Sequence, residues 1–238
     1  MDMKRAVILA GGLGTRLRPY TVALPKPLMP IGQYPILEVI IRQLCAKGFG
    51  HITLAVNHQA ELFKAFFGDG SKWGIRIDYS LESKPLGTMG PLKLIPDLPD
   101  HFLVMNGDIL SDVDYGQFLD CHVVAGRLFS ISASARQQKI DYGVLYADRE
   151  GVLTGFEEKP SHEFLVSMGV YAVSKRILNA IPDDQAYGFD QLVLGYLKSS
   201  AQVNTVVHAG YWLDIGRPDD YERAINDWPQ LAKQIGIA

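Results

Sequence analysis

Residues Arg5 to Pro30 read RAVILAGGLGTRLRPYTVALPKPLMP. The run Ala6-Val7-Ile8-Leu9 carries β-formers with no polar alternation, the pattern of a strand buried on both faces. After Ala10 comes Gly11-Gly12-Leu13-Gly14-Thr15-Arg16, a loop of little side-chain bulk that ends on a guanidinium. Glycines let the backbone turn tightly and bring successive N–H groups against an anion. Arg16 adds a planar, permanently charged fork suited to phosphate oxygens. A second cation, Lys26, stands between Pro25 and Pro27, which restrict the backbone on either side of it. The glycines alone fit a plain turn equally well. The two cations tip the reading toward a polyphosphate site.

Two familiar phosphate loops are excluded. The Walker pattern needs Lys followed by Ser or Thr after its last glycine, and this chain has Thr15-Arg16. A dinucleotide fingerprint would place its third glycine where Leu17 stands. The next strand also ends in Val56-Asn57, without an acidic residue for a ribose hydroxyl.

Outward from this stretch, the pattern predicts a helix over about 35–48, a strand at 51–56, a helix at 59–67 and a strand at 75–80. A turn over 81–90 then leads into another helix. Strand and helix alternating at this spacing imply a parallel sheet with helices on both faces. The apolar strand 102–105 ends in Asn106-Gly107-Asp108, and ligands gather at the carboxyl ends of such strands. Locally, Asp108 also fits a helix N-cap or turn residue, as Asp112 and Asp114 nearby do. The second half is richer in strands, at 128–135, 143–146, 152–157, 168–173 and 203–208. Helices are expected at 174–180, 189–199 and 217–227. Asp214 lies inside the apolar-aromatic run Tyr211-Trp212-Leu213-Asp214-Ile215-Gly216, where a lone carboxylate is costly unless paired or metal-bound.

The chain has 238 residues, of which 47% are hydrophobic and 21% charged, so a packed core is expected and disorder is not. A formal charge of −3 without a Lys/Arg block argues against nucleic acid as a partner. No apolar run approaches a membrane span and no leader is visible, so a cytoplasmic protein is expected. Cys45 and Cys121 read as reduced thiols. His51, His58, His101, His122, His162 and His208 show no metal-ligand spacing and read as structural or surface residues.

The Gly-x-Gly-Thr-Arg and Pro-Lys-Pro motifs resemble those of the sugar-1-phosphate nucleotidyltransferases, or nucleotide-sugar pyrophosphorylases. Tyr142-Gly143, Glu157-Glu158-Lys159-Pro160 and Ser167-Met168-Gly169 extend the resemblance over about 4–221. It is nearest to mannose-1-phosphate guanylyltransferases, through Lys84-Pro85-Leu86-Gly87-Thr88-Met89-Gly90 and Trp212-Leu213-Asp214-Ile215-Gly216. The resemblance implies an α/β, single-domain Rossmann-like nucleotide-diphospho-sugar transferase fold over 1–238, with a mostly parallel mixed sheet. A nucleotide-binding half would cover about 1–110 and a sugar-phosphate-binding half about 111–238. Homologues with an acyltransferase or β-helical tail are longer. An NTP and a sugar 1-phosphate would be the partners, with Mg²⁺ the cofactor; a homo-oligomer is left open.

The same resemblance distributes roles. Arg16, Lys26 and Asp108 would be catalytic, and Asp108 and Asp214 would hold the metal. Ala10, Gly11, Gly12, Gly14, Thr15, Arg16, Lys26, Glu82 and Gly87 would bind nucleotide. Tyr142, Gly143, Glu158, Lys159, Ser167 and Gly169 would wall the sugar-phosphate pocket, with Lys159 a point cation for the attacking phosphate. Taken locally, Glu157 to Pro160 also fits a solvated strand end. Pyrimidine-specific members often carry a glutamine five residues before the glycine matching Gly87. Here that residue is Glu82, whose carboxylate only accepts and so suits the paired N–H donors of guanine. A solvent-facing glutamate is the plain alternative. Ser167-Met168 stands where guanylyltransferases commonly have Asn-Ala, which leaves room for a heptose or deoxy-sugar. Two other classes fit less well. A non-catalytic regulatory homologue should have lost charges that are all present. A glycosyltransferase needs a metal-binding Asp-x-Asp, and Asp112-Val113-Asp114 lies past the strand end.

Overall fold

The computed structural model describes residues 3–12, 14–57 and 59–237. Leu13 and His58 therefore lie outside the described residues, and so does the expectation that His58 is structural. The first strand is β1 (Lys4–Leu9). It is followed by the short hairpin strands β2 (Pro30–Ile31) and β3 (Tyr34–Pro35), helix α1 (Ile36–Ala46) and β4 (Phe49–Val56). Next come α2 (Ala60–Phe67), β5 (Arg76–Leu81), β6 (His101–Asn106), β7 (Ile109–Ser111) and α3 (Tyr115–Val124). The second half holds β8 (Phe129–Lys139), β9 (Gly143–Ala147), β10 (Leu153–Glu158) and β11 (Ser161–Ser174). It closes with α4 (Phe189–Lys198), β12 (Val203–Val207), β13 (Trp212–Asp214) and α5 (Pro218–Gln234).

Seven strands form one sheet in the order β12-β8-β11-β6-β1-β4-β5. Every neighbouring pair runs parallel except the two made by β11, which is antiparallel to both β6 and β8. The chain runs outward from β1 through β4 to β5, then returns to β6 on the other side of β1. That reversal opens a crevice at the carboxyl ends of β1 and β6, where α/β sheets take ligands.

Alternation along β1 sends Ala6 and Ile8 to one face and Val7 to the other. The first face packs against α1, α2, α3 and α5 through Leu37, Ile40, Phe63, Tyr115 and Leu231. The second packs against α4 and short 3₁₀ turns through Leu92, Ile177 and Leu192.

The helix expected after 81–90 is only a 3₁₀ turn, Gly90–Leu94, because Pro91 and Pro96 leave no room for an uninterrupted α ladder. Residues 174–180 likewise form a 3₁₀ turn, Lys175–Ala180. The C-terminal helix passes the expected end at 227 and runs through Pro229 to Gln234. Burial of Leu231 and Ala232 against the core offsets the hydrogen bond that the proline removes.

Candidate functional site

A cleft of about 660 Å³ opens at the carboxyl ends of β1 and β6. Ala10, Gly11, Gly12, Gly14, Thr15, Arg16, Lys26, Glu82, Gly87 and Asp108 all line it. Gly14 has φ 59°, a left-handed conformation that non-glycine residues rarely adopt. Its carbonyl accepts from Thr21 Oγ1 at 2.7 Å, which fixes the turn ahead of Arg16.

Asn57 holds the other side of the loop. Its Nδ2 donates to the Gly11 carbonyl at 2.6 Å, and its Oδ1 accepts from the Gln59 amide at 3.1 Å. The sequence reading took Asn57 only as a missing acid; its place at a strand end was the cue to a positive role. Asn106, Ser83, Lys84, Pro85 and Thr88 also line the cleft without having been singled out as site residues.

Lys26 is buried and bridges two carboxylates. Its Nζ pairs with Asp108 Oδ2 and lies 3.5 Å from Asp214 Oδ1. A two-strand ribbon brings the second aspartate there: β13 pairs antiparallel with β7, setting Asp214 opposite Ile109 and beside Asp108. Three-residue strands leave no periodicity to read, so this ribbon is invisible in the sequence. Gly216, at its exit, lies beside the Arg16 guanidinium.

Burial pushes the Asp108 carboxyl above its ordinary value; Lys26 opposes the shift and Asp214 adds to it. Asp108 Oδ1 is buried with no hydrogen-bond partner among the described residues. A hard cation answers that deficit, since carboxylate oxygens suit Mg²⁺. Among the described residues no three His, Cys, Asp or Glu side chains converge on one point. The two aspartates would therefore need substrate oxygens and water to complete an octahedral shell, as Mg²⁺ at phosphate sites does.

Glu82 follows β5, with its amide bonded to the Val56 carbonyl at 2.9 Å. Its Oε2 accepts from the Leu86 amide at 3.1 Å, and Oε1 lies against Gly11, at the foot of the phosphate loop. Burial raises the Glu82 pKa, and the Leu86 N–H partly offsets this.

The residues expected to wall a sugar-phosphate pocket fall into two groups, and none lines the cleft. Gly143 and Glu158 pair at the end of the ribbon of β9 and β10, and Tyr142 and Lys159 flank them. Tyr142 is 79% exposed, Lys159 lies 4.0 Å from Glu158 and takes the strained φ of 45°. Ser167 and Gly169 lie on β11, where the Gly169 amide donates to Ser167 Oγ at 3.3 Å. Gly169 packs so closely on Asn106 that a Cβ there would come within 2.6 Å of Nδ2. The β11 group thus touches a cleft residue.

Of the described histidines, His51 and His208 bond to Asp78 and Asp112 at 2.7 and 2.6 Å. His101 and His122 bond each other at 3.0 Å. No helix among the described residues is long and apolar enough to cross a membrane.

Residues 5–230 match the family model described as "Nucleotidyl transferase". The UTP–glucose-1-phosphate uridylyltransferase of Synechocystis sp. is 34% identical over 93% of this chain and 62% of its own length. The mannose-1-phosphate guanylyltransferase of Mycobacterium tuberculosis is 32% identical over 93% of this chain and 64% of its own. The chain thus spans less than two thirds of either relative. Among solved structures, HddC from Yersinia pseudotuberculosis complexed with GMP-PN superposes with a TM-score of 0.72 at 28% identity, covering 94% of this chain and 99% of that one. A Bacillus anthracis structure reaches 0.77 at 23% identity, covering 94% of each chain, and speaks to the fold alone.

Proposed function

Because the chain belongs to the nucleotidyl transferase family, we propose that it joins a nucleoside triphosphate to a sugar 1-phosphate and releases pyrophosphate, with GTP the favoured nucleotide and a mannose- or heptose-like acceptor. What carries the reading is one cleft in which a glycine-rich loop, Arg16 and Lys26 meet Asp108 beside Asp214. A phosphate-oxygen nucleophile attacking the α-phosphorus in line asks little covalent chemistry of the protein. Positioning and charge neutralisation do most of it.

The loop amides and Arg16 take the triphosphate, and Arg16 faces the charge that builds on the departing pyrophosphate as the α–β bridging bond breaks. Lys26 neutralises phosphate oxygens at the point of transfer. Asp108 and Asp214 would hold Mg²⁺, which when bound withdraws charge from the phosphates as a Lewis acid. Lys159 and Ser167, with the close backbone at Gly143 and Gly169, would receive the sugar phosphate.

Glu82 supports guanine. With Oε2 engaged by Leu86, Oε1 and the remaining Oε2 lone pair stay free to accept from guanine N1–H and its amine. The Yersinia relative binding GMP-PN agrees with this choice. The Synechocystis relative is the specific reason to keep UTP in the test.

The test is a matrix of GTP, UTP, dTTP, CTP and ATP against mannose, glucose and heptose 1-phosphates, read by pyrophosphate release. GTP with mannose or heptose 1-phosphate should give the highest kcat/KM. A preference for UTP, dTTP or CTP would sink the guanine reading, and no release from any pair would sink the enzyme.

A further inference from the structure

Arg136 lies on β8, four residues past Ser132, so both side chains leave the same face of the sheet. Its guanidinium carbon stands over the Trp212 ring, 4.7 Å from the centroid. The indole is itself fixed: its Nε1 donates to the Met168 carbonyl at 3.1 Å, and Ser132 Oγ donates to Met168 Sδ at 3.0 Å. Trp212 also belongs to the strand that carries Asp214, paired with Ser111 two residues from where Asp214 pairs with Ile109. Met168 precedes Gly169, which packs on the cleft residue Asn106. β8 runs parallel to β1 and β6, so Arg136, near its carboxyl end, stands on the same edge of the sheet as the phosphate loop.

Arg136 is half-buried, yet among the described residues its guanidinium donates no hydrogen bond and pairs with no carboxylate. The indole satisfies the flat face of the guanidinium but none of its five N–H donors, which project from the edge. A partly desolvated guanidinium with its donors uncommitted is open to an anionic partner. The fork geometry selects a planar or tetrahedral oxyanion. We propose that Arg136, laid on Trp212, takes an oxyanion of the acceptor sugar and is a specificity-determining residue at that end of the site. The inference rests on the proposed transferase reading, which supplies an acceptor. Two sources share the chemistry: the 1-phosphate itself, or a second acidic group on the sugar.

Calorimetric titration of the full chain with Mg²⁺ separates them, with mannose 1-phosphate, glucuronic acid 1-phosphate and GTP as probes. Arg136→Met should weaken an acceptor at least tenfold while GTP affinity stays within twofold, and Arg136→Lys should recover part of the loss. Weakening of both acceptors assigns Arg136 to the 1-phosphate; weakening of the glucuronic acid derivative alone assigns it to a second acidic group. Arg136→Gln keeps the polar stem without charge and serves the same comparison should the methionine variant not fold. The proposal is overturned if neither acceptor is weakened, if GTP binding falls in parallel, or if the unmodified protein binds neither acceptor. Pyrophosphate release by the unmodified protein judges the transferase reading separately, so the two can fail independently.

Discussion

The carboxyl edge of β1 and β6 and the ribbon of β9 and β10 both carry motif residues, yet the fold treats them in opposite ways. At the first, Lys26, Asp108 and Asn57 are held by hydrogen bonds and burial, and ten of the expected site residues share one cleft. At the second, Leu145, Tyr146 and Phe156 are exposed along two strands that pair only with each other. An isolated two-stranded ribbon is marginal in water. The first region is preorganised by contacts of its own. The second rests on its own pairing alone.

That contrast is broken or sharpened by substitution. The largest effect belongs to the preorganised edge. Asp108→Asn and Asp214→Asn should each cut turnover by about 10³-fold, in keeping with the several kcal/mol a Lewis-acid metal contributes. Steady-state kinetics at low Mg²⁺ check this, and near-normal turnover in Asp214→Asn would show that the ribbon pairing has no catalytic meaning.

Next is Glu82→Gln, which should lower GTP kcat/KM by about 10- to 100-fold and relax the choice toward UTP or dTTP. Because burial raises the Glu82 pKa, its carboxylate protonates at a higher pH than an ordinary glutamate. The guanine preference should therefore fade on acidification before that of an exposed carboxylate would. A base preference unchanged by the substitution removes Glu82 from recognition.

On the ribbon, Lys159→Met should raise the acceptor KM about tenfold and leave the GTP KM and kcat nearly unchanged, as expected for a point cation that only receives a phosphate. An equal rise in both KM values would mean that the two regions act as one.

The smallest effect on activity concerns the scaffold behind them. His122 is fully buried between His101 and Ser130, and burial first, then His101 and Arg127, lowers its pKa from 6.5 to about 4. The unfolded chain therefore takes up a proton below 6.5 that the folded protein refuses until about 4. Stability is complete above the first value and falls across that window, by about 3 kcal/mol in all. Melting temperatures between pH 7.5 and pH 5 should show this decline, and His122→Gln should flatten it. An unchanged slope in the variant assigns the decline to other groups.

The sequence made the preorganised edge legible because its chemistry is local: glycines, Arg16 and the Pro-Lys-Pro around Lys26 lie within one short stretch. Asp108 was legible through its place after the apolar strand that became β6. The alternation of strands and helices in the first half likewise gave the parallel sheet. What stayed hidden depends on distant pairing. The strands β7 and β13 are too short to carry a period, and the partner of Asp214 could not be read from its own neighbours. Arg136 drew no reading from the sequence, because nothing local points to Trp212. The last helix was expected to end at 227, and it continues through Pro229 because its final turn is buried against the core.

The bridge between Lys26 and Asp214 joins residues 188 positions apart, which gives the centre a place in the order of folding. Closing so long a loop costs entropy that only later contacts return, so such pairings form late. On the ribosome the glycine-rich loop, α1 and the first parallel strands are made well before β13 exists. A nascent chain stopped before residue 214 already carries every residue of the phosphate loop and still lacks half of its carboxylate pair. On the proposed transferase reading, the loop that takes the triphosphate is thus made well before the second of the two aspartates that would hold the metal.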